Sequence, residues 1–140
     1  MDIFEKKTCF GVIIATRGFF NPVLAGTARK ELLALLDELS IEYVIGSEEA
    51  TPHGAVENLE HAKLYAGLFR ENAEKIDGVI VILPNFGDEL GVVQALDMAK
   101  LNVPVMVQAC NDELDKVGVF SRRDSFCGKF SVCNNLYQYN

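Results

Sequence analysis

GVIVIL, residues 78–83, decides the fold of this chain. The five residues after the glycine are aliphatic and four of them are β-branched, which is typical of a β-strand. No polar residue alternates with them, so the strand must be covered on both of its faces. Continuous apolar runs of this kind belong to the central strands of parallel sheets. The stretch therefore predicts a parallel sheet buried between two layers of helices.

Strand and helix patterns alternate on both sides of this run. Such an alternation, with short connections, is typical of right-handed βαβ units. The predicted strands are 8–15, 41–45, 78–83 and 103–108, and the predicted helices are 21–39, 51–76, 88–99 and 126–139. We therefore predict one α/β domain over residues 1–140. Its expected fold is doubly wound, with a mainly parallel sheet between helix layers, as in Rossmann-like or flavodoxin-like three-layer sandwiches.

Composition and charge argue against several classes of partner. The 140 residues are 49% hydrophobic and 24% charged, which fits an ordinary globular domain. A formal net charge of −7 repels phosphate backbones and anionic lipid, so we expect neither a nucleic-acid nor a membrane partner. The first ten residues, MDIFEKKTCF, lack the basic start and the apolar segment of a signal peptide. We therefore expect a cytoplasmic protein.

The four cysteines, Cys9, Cys110, Cys127 and Cys133, show neither CxxC nor zinc-site spacing. Two cysteines six residues apart on the predicted last helix point to different sides, so they do not jointly hold a metal there. We predict free, buried thiols.

The histidines do not indicate a metal site either. Glu57 and His61 are four residues apart on the predicted second helix and share a face, but no third ligand accompanies them. His53 lies in a helix-start sequence and is predicted to be a turn residue. No serine or cysteine has a base paired with it in the sequence. We therefore predict no metal ligand and no catalytic residue in this chain.

A ligand is expected at the loops that follow the strands, near the change in strand order. These loops are residues 16–21, 46–50, 84–89 and 109–111. Arg17 follows the first strand, where its guanidinium can hold hydroxyls or an anion. It can equally pair with Asp88 or Glu89 across the loop, and its position alone leaves both roles open.

The same loops exclude the common nucleotide chemistries. TRGFFNP, residues 16–22, has one glycine and two phenylalanines where a GxGxxG fingerprint needs close backbone approach. Gly128-Lys129 is followed by Phe130 rather than by the hydroxyl residue of a P-loop. Carboxylates do not end the first and third strands, which excludes a phospho-receiver. Phenylalanines at this rim are more often core or interface residues, although an aromatic rim also suits carbohydrate.

Three segments together resemble the N-terminal region of L-fucose isomerase-like sugar isomerases, within the L-fucose/L-arabinose isomerase superfamily. They are VIIATRGFFNPVLAG (12–26), VIVILPNFGDE (79–89) and RRDSFCGKFSVCNNLYQY (122–139), and the last is the most specific. The resemblance covers about residues 8–139. It implies an aldose–ketose isomerase in which this region is the first of several domains. We therefore expect an N-terminal domain of a longer polypeptide, inactive by itself.

The resemblance also implies a cofactor and a role for particular residues. The family uses a divalent metal, typically Mn²⁺, whose ligands are expected beyond residue 140. The first domain is expected to contact the sugar, frequently at a neighbouring subunit's site, which implies a homo-oligomer. Arg17 matches an arginine that contacts the substrate in L-fucose isomerase. The loop after the third strand also reaches the sugar there with a Trp, where this chain has Asn85 and Phe86, so the identity of the sugar stays open.

Two functions of different classes follow from these observations. The first is a substrate-binding and assembly domain of a metal-dependent sugar isomerase. The second is a stand-alone flavodoxin-like or sugar-binding module without catalytic activity. In the first case, surfaces that pack on other domains are bare in this chain. We expect these to be the 19–20 loop and the side chains of the last helix at Phe126, Phe130, Tyr137 and Tyr139.

Overall fold

A computed structural model describes residues 6–139. Four parallel strands form one sheet in the order β2-β1-β3-β4. The elements, in chain order, are β1 (Cys9–Ile14), α1 (Val23–Glu38), β2 (Glu42–Ile45), a 3₁₀ turn (Pro52–Gly54), α2 (Leu59–Glu71), β3 (Gly78–Leu83), α3 (Glu89–Ala99), β4 (Val105–Ala109) and α4 (Ser125–Tyr139). The predicted doubly wound α/β fold is confirmed.

The central position of β3 follows from its apolar sequence. All six of its residues are buried. Val79, Val81 and Leu83 face a core that includes side chains of α2, α3 and α4. Ile80 and Ile82 face the second core, which includes side chains of α1. One face of the sheet therefore carries α1, and the other carries α2, α3 and α4.

The second helix differs from its prediction. The chain forms a short 3₁₀ turn at Pro52–Gly54, inside which His53 is left-handed with φ +57°, so His53 is a turn residue as predicted. Val56 then forms a parallel bridge with Ala15 at the end of β1, and extended backbone there is incompatible with a helix. The helix begins after Asn58, whose side chain accepts the His61 N–H at 3.0 Å. It ends at Glu71, so the predicted helix 51–76 was too long at both ends.

The other helix starts lie close to their predictions. Asp88 is the N-cap of α3, and its side chain accepts the Gly91 N–H at 2.6 Å. The side chain of Asn21 accepts the N–H of Val23 at 3.0 Å, and α1 begins at Val23. None of the described helices is long and apolar enough to cross a membrane.

The last helix carries its apolar side chains on an exposed surface. Its buried positions are Ser125, Gly128 and Val132. The prediction of exposed side chains is confirmed for Phe126, Phe130, Tyr137 and Tyr139. The prediction also holds for Phe19 but is wrong for Phe20, which is buried.

Candidate functional site

The change in strand order lies between β1 and β3. The chain passes from β1 to β2 on one side, and β3 then pairs with β1 on its other side. The loops after β1 and β3 therefore leave neighbouring strands at the same end of the sheet, where doubly wound folds bind ligands. We call these two loops, residues 16–21 and 84–89, the switch-point edge.

Asn85 connects the two loops. Its side chain is completely buried, and its Oδ1 accepts the backbone N–H groups of Arg17 at 3.2 Å and Gly87 at 3.0 Å. Its Nδ2 donates to Oγ1 of Thr16 at 2.7 Å. These bonds use the acceptor and one donor of the amide, so Asn85 orders the loop that carries Arg17. Because the amide itself is covered, Asn85 acts by positioning the loops and presents no free polar group at the surface.

Arg17 lies above the start of α3. Its Nη2 forms an ion pair with Glu89, and both side chains are partly buried. The guanidinium carbon is 4.6 Å from the centre of the Phe86 ring, a distance that favours a cation–π contact. Of the two partners considered from the sequence, the structure pairs Arg17 with Glu89, while Asp88 caps the helix. The guanidinium is thereby held by the carboxylate of Glu89 and by the face of the Phe86 ring.

Phe86 also meets the last helix. A Cβ placed on Gly128 would lie 2.6 Å from the carbonyl carbon of Phe86 and closer still to its oxygen. Only a glycine allows α4 to approach the loop this closely. The conformation of the loop after β3 therefore depends on α4, although the two are about forty residues apart in sequence.

Two residues outside these loops lie against the switch-point edge and were not predicted to do so. Arg123 donates from Nη1 to the carbonyl oxygen of Pro84 at 3.1 Å, while its Nη2 is 3.5 Å from a carboxylate oxygen of Glu113. Glu57 precedes α2 instead of sharing a helical face with His61. Its carboxylate lies 2.6 Å from the position of a Cβ on Gly18. The only sequence signal was for Arg123, which belongs to the motif that begins at Arg122.

The cysteines differ from the prediction in burial. All four are free, but only Cys9 is fully buried, Cys110 is half-buried, and Cys127 and Cys133 are exposed. Cys110 follows β4 at the same end of the sheet as the switch-point edge. Burial raises the pKa of the Cys110 thiol, and the charge of Arg123 opposes that shift only in part. Cys110 is therefore a protonated thiol near neutral pH and a poor nucleophile.

No metal site can be built from the side chains of residues 6–139. Groups of three or more His, Cys, Asp or Glu side chains that could hold an ion do not occur among them. What the switch-point edge offers is a fixed guanidinium beside an aromatic ring, a pair of groups that suits ligand binding.

Comparison with known proteins identifies one family. Residues 11–140 match the family described as "Fucose/sulfoquinovose isomerase, N-terminal domain". The match begins within β1, continues through α4 and includes every residue of the switch-point edge. The comparisons found no curated protein and no solved structure that matches the chain.

Proposed function

The chain belongs to the fucose/sulfoquinovose isomerase N-terminal domain family, and we propose that it holds the sugar substrate of a metal-dependent aldose–ketose isomerase. The observation that carries this proposal is the fixed guanidinium of Arg17 at the topological switch point. A guanidinium offers several N–H donors in a rigid fork, which suits adjacent sugar hydroxyls. Glu89 and Phe86 occupy part of this fork and restrain it, so the remaining donors are presented with little loss of entropy on binding.

The charge balance of the site favours a neutral sugar over a sulfonated one. Arg17 is paired with Glu89, and Arg123 lies beside Glu113. A sulfonate that accepts from the remaining donors gains less from these cations, because a carboxylate already compensates the charge of each. Neutral hydroxyls can accept from the guanidinium while the Glu89 carboxylate stays in place. We therefore propose a neutral sugar, such as a deoxyaldose, as the substrate class.

Metal dependence is proposed from the family alone. The ligands of Mn²⁺ or another divalent ion are expected from polypeptide beyond residue 140, and the ion would supply Lewis-acid polarisation of the sugar. No proton transfer is assigned to a residue of this chain. We expect the 140-residue chain alone to be inactive and to bind Mn²⁺ no better than a generic acidic surface. Tight, stoichiometric Mn²⁺ binding in calorimetry, or ketose formation by this chain, would contradict the proposal.

Assembly and location are also proposed from the family and the composition. A homo-oligomer of the complete protein would bring the switch-point edge to a site completed by other domains. A cytoplasmic location is proposed from the composition, with its net charge of −7. The alternative is a stand-alone sugar-binding module. In that case the 140-residue chain would bind sugar by itself, and the complete protein would have no isomerase activity.

The experiment that tests the proposal is Arg17→Ala in the complete protein. Loss of a charge-assisted contact to the substrate should lower kcat/KM by about 10- to 100-fold, equivalent to roughly 1.5–3 kcal/mol. Metal content should not change, because no described residue near Arg17 forms part of a metal cluster. Arg122→Ala is the matched control, since Arg122 pairs with Asp124 outside the switch-point edge and should leave kcat/KM unchanged.

Glu89→Gln separates substrate contact from a purely structural ion pair. If Arg17 only stabilises the loop, Arg17→Ala and Glu89→Gln should lower the melting temperature equally and leave kcat/KM unchanged. If Arg17 contacts the sugar, Glu89→Gln should keep most of the activity on a neutral aldose. It should also improve binding of a sulfonated sugar relative to the neutral one, because the guanidinium charge is no longer compensated. An unchanged preference would contradict the proposed substrate class.

A further inference from the structure

The outer edge of β4 carries backbone hydrogen-bonding groups that pair with no other strand in the part of the chain that the structure describes. Toward β3, the carbonyl of Pro104 accepts the Val79 N–H at 2.9 Å, and the Cys110 N–H donates to β3 at 3.0 Å. Backbone groups alternate sides along a strand, so Val105 and Val107 direct their N–H and C=O groups away from β3. Among residues 6–139, no strand pairs with this outer edge.

An apolar groove of about 640 Å³ runs between this edge and α4. We call it the open flank; its apolar lining is Val103, Val105 and Val107 from the β4 side and Cys133, Leu136 and Tyr137 from α4. Lys129 is its one charged lining residue. A groove with apolar walls and free backbone groups along its side has the features of a site for an added strand.

The handedness of the fold predicts the direction of that strand. The crossover through α1, on the first face of the sheet, moves from β1 outward to β2. The crossovers through α2 and α3, on the opposite face, move the other way, toward β4. Right-handed crossovers couple face to direction. Because α4 packs on the same face as α2 and α3 through Val132, a strand that follows α4 belongs beyond β4, at its outer edge.

We propose that the open flank receives a fifth parallel strand, supplied by polypeptide that follows α4 in the complete protein. The strand would accept and donate at the outward groups of Val105 and Val107, and its apolar side chains would cover Leu136 and Tyr137. This proposal rests on the proposed function in one respect, that the chain is the N-terminal domain of a longer isomerase. It would make the next segment of polypeptide an integral part of this domain's core.

Hydrogen exchange on the 140-residue chain and on the complete protein tests the proposal. In the 140-residue chain, the outward amides of Val105 and Val107 should exchange much faster than the inward amides of Met106 and Gln108. In the complete protein, the two outward amides should gain roughly 100-fold protection or more, as amides in a paired ladder do. Equal exchange of the outward amides in both proteins would overturn the proposal.

Val107→Pro provides a second measurement. Proline removes the outward N–H of an edge strand while leaving the bonds to β3 in place. We expect it to abolish the added protection of Val105 in the complete protein and to leave the exchange pattern of the 140-residue chain nearly unchanged. Val107→Thr, which keeps the N–H, is the matched control and should retain the protection.

Three other outcomes would overturn the proposal. They are a coding sequence without a strand after α4, protection that arises from pairing of β4 with β4 of a second copy, and equal effects of Val107→Pro in both proteins. The proposed function fails separately. Isomerase activity that depends on Arg17, with an unprotected β4 edge, would reject only the fifth strand. A protected edge in a protein without isomerase activity would reject only the proposed function.

Discussion

The switch-point edge and the open flank lie on the same small sheet but differ in how completely their groups are satisfied. At the switch-point edge, Asn85 bonds to three groups, and Arg17 has both a carboxylate and an aromatic partner. At the open flank, the outer backbone groups of β4 have no strand partner among the described residues, and Tyr137 is 85% exposed. The polar groups of the first region find partners within residues 6–139, whereas the outward backbone groups of the second region find no strand partner there.

This difference indicates which region keeps its geometry without a partner and which region is expected to associate with other polypeptide. A site whose polar groups are mutually bonded keeps its geometry without a ligand, which is what preorganised binding requires. An edge strand beside an apolar groove tends to associate with other polypeptide when nothing covers it. We therefore expect substitutions at the switch-point edge to act on folding and binding, and substitutions at the open flank to act on association.

The largest effect is expected where α4 meets the switch-point edge. Gly128→Ala would place a methyl group inside the Phe86 backbone, so α4 must move away from the loop. We expect a loss of about 4 kcal/mol in the free energy of unfolding. Gly67→Ala in α2 is the control, because no heavy atom lies within 4 Å of its new Cβ. That control should stabilise the protein by about 0.5–1 kcal/mol. Similar effects of both variants in urea unfolding would show that α4 does not support the edge.

A slightly smaller effect is expected for Asn85→Ala. The substitution leaves the buried N–H of Gly87 and the N–H of Arg17 without their acceptor. Unfolding should become easier by about 3 kcal/mol, since each buried donor without a partner costs roughly 1–3 kcal/mol. Asn134→Ala, at an exposed position of α4, should change stability by less than about 0.5 kcal/mol. A near-neutral Asn85→Ala would mean that the loops are held by other contacts.

A third effect concerns self-association and leaves stability almost unchanged. We expect the 140-residue chain to self-associate through the exposed apolar side chains of α4. Phe130→Lys should weaken association at least roughly tenfold, because it places a charge in an apolar contact. Phe19→Lys makes the same change at the switch-point edge, where Phe19 is 71% exposed. If Phe19→Lys has the larger effect in sedimentation, self-association occurs through the switch-point edge and not through α4. A monomer at high concentration would exclude self-association altogether.

The smallest effect is in thiol reactivity. Cys127 and Cys133 on α4 are exposed, whereas burial raises the pKa of both Cys9 and Cys110 and lowers their thiolate fraction at pH 8. Two thiols should react with a disulfide reagent at least roughly tenfold faster than the other two. Replacing Cys127 and Cys133 by serine should remove the fast phase. Persistence of that phase would place an accessible thiol near the sheet.

Much of the fold was predictable because its signals are local. The apolar run 78–83 and the cap at Asp88 gave β3 and the start of α3 almost to the residue. The predicted start of the second helix was wrong because Thr51-Pro52 begins only a 3₁₀ turn. The chain then extends, and Val56 pairs with Ala15, a residue 41 positions earlier. Asn58, which caps the real helix, was a local signal that the Thr-Pro pair obscured.

The proximity of the two loops was predictable, but the contacts between their side chains were not. The loops after the first and third strands were expected to meet, and the structure brings them together. Which carboxylate pairs with Arg17 was not predictable, because Asp88 and Glu89 are adjacent and differ only in how α3 orients them. Whether Arg17 also contacts a sugar stays a prediction.

The sequence by itself determined the parallel sheet, the loops that form its carboxyl end, and the family, because these depend on local periodicity and on motifs read along the chain. Only the tertiary structure decided that Glu89 neutralises Arg17, that Gly128 lies against Phe86, and that α4 exposes its large side chains while burying Ser125, Gly128 and Val132. The physical reason is that these features depend on contacts between residues distant in sequence. The buried side of α4 carries small residues, and Gly128 among them allows its backbone to approach the Phe86 loop closely.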